Sequence, residues 1–316
     1  MERRTLGNSQ LMISPLMLGG NVFGWTIDEP TSFAVLDAFL GAGFNAIDTA
    51  DVYSRFKPGN QGGESETILG NWFASRGNRA QVVLASKCGM DMGRGTKGLT
   101  RVHILSAVED SLRRLQTDYI DLYMAHKDDP ATPMDETLEA FSQLVRQGKV
   151  RALGASNFTA DRLSEALAAA KRLGLPRYES LQPNYNLYDR AEFEHGPQQL
   201  CVREHIGVIA YFSLASGFLT GKYRTEADLG KGLRGPRVAK YLNPRGMRIV
   251  EALDQVAKRL AATPAQVALA WLMTRPAVTA PIVSATSTRQ LEDTMKSASL
   301  KLDAAALAAL DVASAP

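Results

Sequence analysis

In the stretch NAIDTADVYS, residues 45–54, an apolar run ends on Asp48 and is followed within a few positions by Asp51 and the phenol of Tyr53. Two further runs end on side chains of complementary chemistry: VVLAS (82–86) leads into Lys87 and IDLYMA (120–125) into His126. Taken singly, Asp48 reads as a turn acid and Tyr53 as a packing aromatic. A lysine at the end of a buried run, however, needs a counter-ion to stay charged, and Asp48 can supply it. Together the four can move a proton. A phenol ordinarily titrates near pH ~10, and an ammonium ~4 Å away at an effective dielectric of ~20 favours phenolate by ~4 kcal/mol, which draws the expected pKa of Tyr53 toward neutrality. Such a phenol is a general acid toward a carbonyl oxygen, worth ~10²–10⁴ in rate, with Asp48 holding Lys87 and His126 giving the oxygen a second hydrogen bond. The sequence has no GxSxG stretch and no cluster with metal-ligand spacing. Asp51 reads as a solvated loop acid, and His103, His195 and His205 fall on predicted helices or loops and need no role.

For these groups to converge, the chain must bring several strand ends to one place. Short apolar runs alternate with amphipathic stretches nearly from end to end, the pattern of parallel strands joined by helices. Eight strands are predicted, at 16–18, 45–48, 82–86, 120–125, 152–155, 180–182, 207–210 and 281–284. Helices are predicted at 31–42, 64–75, 100–115, 135–147, 159–173, 197–205 and 288–297, with a last one near 303–314. Between 211 and 280 the single expected helix gives way to a Gly-rich loop and two helices, RIVEALDQVAKRLA and TPAQVALAWLMT. Thr263-Pro264 is a helix-start pair, and Gly43, Gly148 and Gly174 stand where helices should stop. RTLGNSQLMIS, ahead of the first strand, predicts a hairpin with Gly-Asn at its turn that closes the bottom of a barrel. The pattern predicts a (β/α)₈ barrel as a single domain spanning 1–316, with a doubly wound sheet as the alternative.

In such a barrel the reactive groups lie at the carboxyl ends of the strands. Besides the four already named, Ser156 and Asn157 follow the fifth strand, Gln182 closes the sixth, and Tyr211 and Ser213 follow the seventh.

Composition excludes several classes. Of 316 residues, 36 are basic and 33 acidic, giving a net charge of +3, and the chain has no dense basic block or basic-aromatic patch of the kind that binds nucleic acid. Cys88 and Cys201 are far apart, which predicts neither a disulfide framework nor a zinc site and points to a reducing, cytoplasmic setting. The N-terminal apolar run is broken by Ser14 and Pro15 and reads as no signal peptide, and no apolar run approaches the ~20 residues of a membrane span.

Eight short pieces, in order and at matching spacing, resemble the aldo-keto reductases over nearly the whole length: GFNAIDTADVYS followed by GESETILG, LASKCG, DSLRRLQTDYIDLYMAH, GKVRALGASNF, LQPNYNLYDR, AYFSLASGFLTGKY and PIVSATSTRQLED. The resemblance implies a (β/α)₈ barrel that binds NADPH in extended form without a Rossmann domain and passes hydride to a small-molecule carbonyl substrate. It implies Tyr53 as the general acid, Lys87 and Asp48 as the pair that tunes it, and His126 as the donor that orients the substrate. It places Ser156, Asn157 and Gln182 on the carboxamide and Tyr211 against the nicotinamide ring. The segment Phe212, Ser213, Leu214, Ser216 and Gly217, with Lys222, matches the loop around the pyrophosphate, and Gly20 and Asn21 join the cofactor set. Where the family has Ser-Pro after the aromatic, this chain has Phe212-Ser213. At the adenosine end the matching residues are Ser284, Ala285, Thr286, Gln290, Asp293 and Thr294, the last lacking the amide of the usual Asn. Arg289, Lys222 and Arg234 are the candidates for a 2′-phosphate clamp, so NADPH is the expected cofactor, with NADH as the alternative.

Two other classes fit parts of the pattern. Lys87 as a Schiff-base lysine would make an aldolase, but such a lysine needs a depressed pKa, which Asp48 opposes. Some proteins similar to this family serve channels as nucleotide-binding regulatory subunits; the complete tetrad favours a working reductase.

Overall fold

The predicted runs form strands because each is short, apolar and bounded by turn or cap residues. In the computed structural model, which describes residues 2–93, 95 and 97–316, the chain opens with a hairpin of β1 (Arg4–Thr5) and β2 (Met12–Ile13). There follow β3 (Met17–Gly19), α1 (Glu29–Gly41), β4 (Ala46–Asp48), α2 (Glu64–Arg76), β5 (Val83–Cys88), α3 (Arg101–Leu115), β6 (Ile120–Ala125) and α4 (Met134–Arg146). Next come β7 (Val150–Ser156), α5 (Ala160–Leu173), β8 (Tyr178–Gln182), α6 (Ala191–Glu194), α7 (Pro197–Arg203) and β9 (Gly207–Ala210). The last part holds α8 (Gly235–Val238), α9 (Pro244–Arg259), α10 (Pro264–Met273), β10 (Val278–Val283), α11 (Thr288–Met295) and α12 (Ala304–Ser314).

Strands β3 to β10 close into one parallel barrel in chain order, the seam being β10 against β3 with Ile282 opposite Met17 and Val283 opposite Leu18. This is the expected (β/α)₈ barrel, not an open doubly wound sheet. Its interior is filled mainly by small and unbranched side chains, Met17, Ala46, Ala85, Leu122, Met124, Ala152, Ile209 and Ala280. Leu6, Leu11 and Ile13 of the hairpin segment join the same cluster, so the hairpin plugs one end of the barrel and leaves the other for chemistry. Gly7 and Asn8 occupy the turn, where Ser9 N donates to Leu6 O, and Gly7 at φ +57 lies so close to the Glu179 carbonyl that a Cβ would come within 2.2 Å of it.

Punctuation follows the predicted logic. Thr263 and Gln266 form a reciprocal capping box at α10, and Gly174 ends α5 at φ +65. The first helix starts at Glu29 instead of 31 because the Asp28 carboxylate accepts from Thr31 N (3.0 Å) and Pro30 sits in the first turn. The helix predicted at 197–205 is α7, stopping at Arg203, and the short α6 precedes it; the one predicted at 288–297 stops at Met295 and continues as a 3₁₀ turn. Among the described residues no helix is long and apolar enough to cross a membrane.

Helices α2 and α3 meet closely at Gly70, where an added Cβ would fall 2.1 Å from the Arg114 carbonyl oxygen. Alanine ordinarily favours a helix over glycine, but here overpacking wins. Gly70→Ala is expected to destabilise the fold by about 2 kcal/mol, read as a lower midpoint in urea unfolding. An unchanged or raised midpoint would mean that the two helices separate freely.

Candidate active site

Asp48 ends β4, Lys87 lies near the end of β5, His126 follows β6, and Tyr53 returns over the same mouth on the loop after β4. The Lys87 ammonium donates to Asp48 Oδ2 (2.8 Å), to the Thr49 carbonyl oxygen (2.7 Å) and to the Tyr53 hydroxyl (2.9 Å). All three ammonium protons are thereby used, and Lys87 is fully buried. Tyr53 in turn donates to Asp48 Oδ2 (3.0 Å), while the other Asp48 oxygen accepts from Gln182 Nε2 (2.9 Å). Asp48 is thus the hub of the cluster. The His126 ring stands edge-on to Tyr53 with centroids 5.9 Å apart, and its Nδ1 is buried without a partner among the described residues. Burial, followed by the Lys87 charge, holds its imidazole well below the usual histidine range, so it faces the cleft as a neutral ring.

Three sequence expectations need correction. The Tyr53 phenol is not drawn toward neutrality: burial, then the Asp48 carboxylate and the hydrogen bond to it, push its pKa well above the ordinary value. The field of Lys87 is shared with Asp48, which lies at the same hydrogen-bond distance from the phenol as the lysine does. Lys87, conversely, is shifted down, because burial outweighs the charge and hydrogen bond of Asp48. Asp51 is no solvated loop acid. It is 2% exposed, and burial followed by Glu66 pushes its carboxyl up to about 8.

The tetrad opens into a cleft of about 1470 Å³. Asp48, Tyr53 and His126 line its end, and Lys87 lies beneath them. Along its walls are Asn21, Ser156, Asn157, Gln182, Tyr211, Phe212, Ser213, Leu214, Ser216, Gly217, Lys222, Arg234, Ser284, Thr286, Arg289, Gln290, Asp293 and Thr294, which are all of the residues expected around a cofactor except Gly20 and the buried Ala285. Gly20 packs behind the wall, with Ser65 Oγ and the Asp48 carbonyl oxygen where a side chain would begin. Several wall residues are held in place by one another. Asn157 donates to the His126 carbonyl oxygen (3.0 Å) and accepts from the Tyr211 hydroxyl (2.7 Å), and Ser284 donates to Asn21 Oδ1 (2.6 Å). Gln290 accepts from the Thr286 amide and hydroxyl, whereas Thr294 turns its hydroxyl back onto its own helix. Asp293 is taken up by Gln266 and Thr263. Lys127 and Asp128 are not on the wall; Asp128 is paired with Arg162.

Some features of the site carried no sequence signal. Ala215, Ser216 and Gly217 lie consecutively in the left-handed region at φ +48, +58 and +99, after Phe212 at +51, and only the glycine could have suggested it. Arg234 and Arg237 reach across the cleft to the face of Trp25 (5.4 and 5.9 Å), whose ring meets Phe56 edge-on at 4.7 Å. Neither guanidinium has an acidic partner among the described residues, and burial, then Arg237, lowers the pKa of Arg234.

A profile of the Aldo/keto reductase family matches residues 15–315. The chain is similar to an uncharacterized oxidoreductase, YrpG, of Bacillus subtilis (strain 168), 37% identical over 311 residues that cover 96% of this chain and 93% of the relative. It is also similar to the aldo-keto reductase YhdN of the same organism, 35% identical over 295 residues, 90% of this chain and 83% of the relative. A probable voltage-gated potassium channel subunit beta of Oryza sativa subsp. japonica is 34% identical over 304 residues, 94% of this chain and 90% of that one. The match runs through the strand ends that build the mouth as well as the helices that carry them, and the chain belongs to the aldo/keto reductase family.

Proposed function

We propose that the protein is a carbonyl reductase that uses NADPH, with NADH as the lesser alternative, and Tyr53 as the proton donor. The observation that carries this reading is the convergence of Asp48, Tyr53, Lys87 and His126 at the end of a long cleft whose walls carry cations without acidic partners. Lys222, Arg234 and Arg289 have no carboxylate at ion-pair distance among the described residues, which suits a polyanionic dinucleotide. The left-handed run 215–217 is the kind of backbone that turns successive amides toward an anion, so these residues would hold the pyrophosphate. Ser156, Asn157 and Gln182 would hold the carboxamide, and Tyr211 the ring. When bound, the nicotinamide supplies the hydride. The protein's own part is to fix the carbonyl oxygen and deliver a proton to it: neutral His126 orients the oxygen, and Tyr53 gives its proton as charge develops there, with Lys87 stabilising the phenolate left behind.

Lys87 as a Schiff-base nucleophile fits the geometry poorly, since its nitrogen is fully buried and has all three protons engaged. A regulatory subunit with little turnover is the second reading, supported by the relatives described as channel subunits. The test is fluorescence titration with NADPH and NADH, followed by nucleotide oxidation with a panel of aldehydes and ketones. Tight NADPH binding with turnover is expected. Tight binding without turnover on any carbonyl would favour the regulatory reading.

A further inference from the structure

Five ionisable side chains are packed at and beneath the tetrad, three acids and two bases. Lys87 is paired with Asp48. Glu66 of α2, fully buried, accepts from Arg114 Nε of α3 (2.7 Å) and from Ser86 Oγ (2.5 Å). Asp51 is the acid left over. Its amide donates to the Lys87 carbonyl oxygen (3.2 Å), which pins it against β5, and its Oδ1 is buried without a partner among the described residues. The groups that act on it come from every element packed there: Glu66 from α2, Arg114 from α3, Lys87 and Cys88 from β5, and Tyr123 from β6. A third carboxylate, with no ion-pair partner of its own, cannot be kept there cheaply, and the group's remedy is to keep its proton.

We propose that Asp51 is a positioning residue, held as the neutral carboxylic acid so that the Lys87 charge is directed at Tyr53 and Asp48, and that its ionisation weakens Tyr53 as a proton donor by acting through Lys87. Asp51 has no place on the cleft wall, so it acts only through its neighbours. Burial, followed by Glu66, pushes its carboxyl up to about 8, which places the change in the mildly alkaline range. When the proton leaves, a negative charge appears behind the ammonium and offsets the field that stabilises the departing phenolate. Reduction then slows as pH rises. The inference rests on the reductase reading for its kinetic part only.

Asp51→Asn tests both parts. The folded-state pKa of about 8 lies above the unfolded value of 3.8, so the native protein holds this proton longer and loses stability as pH rises between the two, with the full penalty present above about 8. The neutral amide escapes the penalty. Its Tm is therefore expected to exceed that of the wild type by several degrees at about pH 9, with the gap shrinking toward about pH 5. A variant less stable than wild type by the same margin at every pH would overturn the charge assignment. In the kinetic arm, the ratio of variant to wild-type kcat for carbonyl reduction is expected to rise several-fold between about pH 6.5 and about pH 9. Parallel profiles would overturn the link to Tyr53. The thermal arm needs no substrate, so failure of the reductase reading and failure of this one are told apart.

Discussion

Tyr53→Phe is expected to lower carbonyl turnover by ~10²–10⁴-fold while NADPH binding, followed by fluorescence, persists. The substitution removes one oxygen atom. The ring keeps its packing beside His126 and against the Lys87 ammonium, which stands 4.6 Å from its centroid. What disappears is the hydroxyl proton that the proposed mechanism gives to substrate, a transfer that would leave the Lys87–Asp48 ion pair intact. The raised pKa of the phenol bears on this: in the proposed mechanism Tyr53 keeps its proton in the free protein and would act as an acid only as negative charge develops on an oxygen placed against it. A variant that retains most of its turnover would move the proton donor elsewhere, with His126 the next candidate. Loss of nucleotide affinity together with turnover would instead point to a collapsed mouth.

Lys87→Met is expected to be costly in a different way. Removing the ammonium leaves the Asp48 carboxylate, 1% exposed, with hydrogen bonds from Tyr53 and Gln182 but without a counter-charge. Breaking one side of a buried ion pair typically costs about 3–5 kcal/mol, so the urea midpoint should fall substantially along with activity. The informative comparison is the double variant Lys87→Met with Asp48→Asn, in which no charge is left unpaired. It should recover much of the lost stability and none of the turnover. If the double variant is as unstable as the single one, the ammonium's hydrogen bonds to the Thr49 carbonyl and the Tyr53 hydroxyl, and not charge pairing, are what Lys87 contributes to the fold.

Much of this architecture was legible because barrel strands and their helices write themselves locally. A run such as IDLYMA, buried on all six residues, can hardly be other than an inner strand, and the mouth of such a strand is where polar residues collect. Asp48, Lys87 and His126 were therefore readable by position, and Tyr53 by its offset from Asp48. Asp51 was misread because its neighbours in space, Glu66 and Arg114, lie on two other elements, and nothing in DTADVYS indicates that α2 and α3 bury it. The pKa of Tyr53 was misjudged for a related reason: a sequence supplies the identities of a charge pair, but the sign of the shift depends on how burial divides the lysine between two acceptors. The left-handed run at 215–217 depends on closure of a loop around a cleft, which leaves no periodic trace.

The pairing of β10 with β3 also bears on how the molecule is made. The two strands of the seam come from opposite ends of the chain, and Ser284, just past β10, reaches Asn21, just past β3. During synthesis the cylinder therefore cannot be sealed until β10, the last of its strands in chain order, has left the ribosome. Up to that moment a growing sheet presents two unpaired borders, a state open to association with other nascent chains. Translation rate and chaperone supply, more than the final stability of the barrel, should then govern the yield of correctly folded protein.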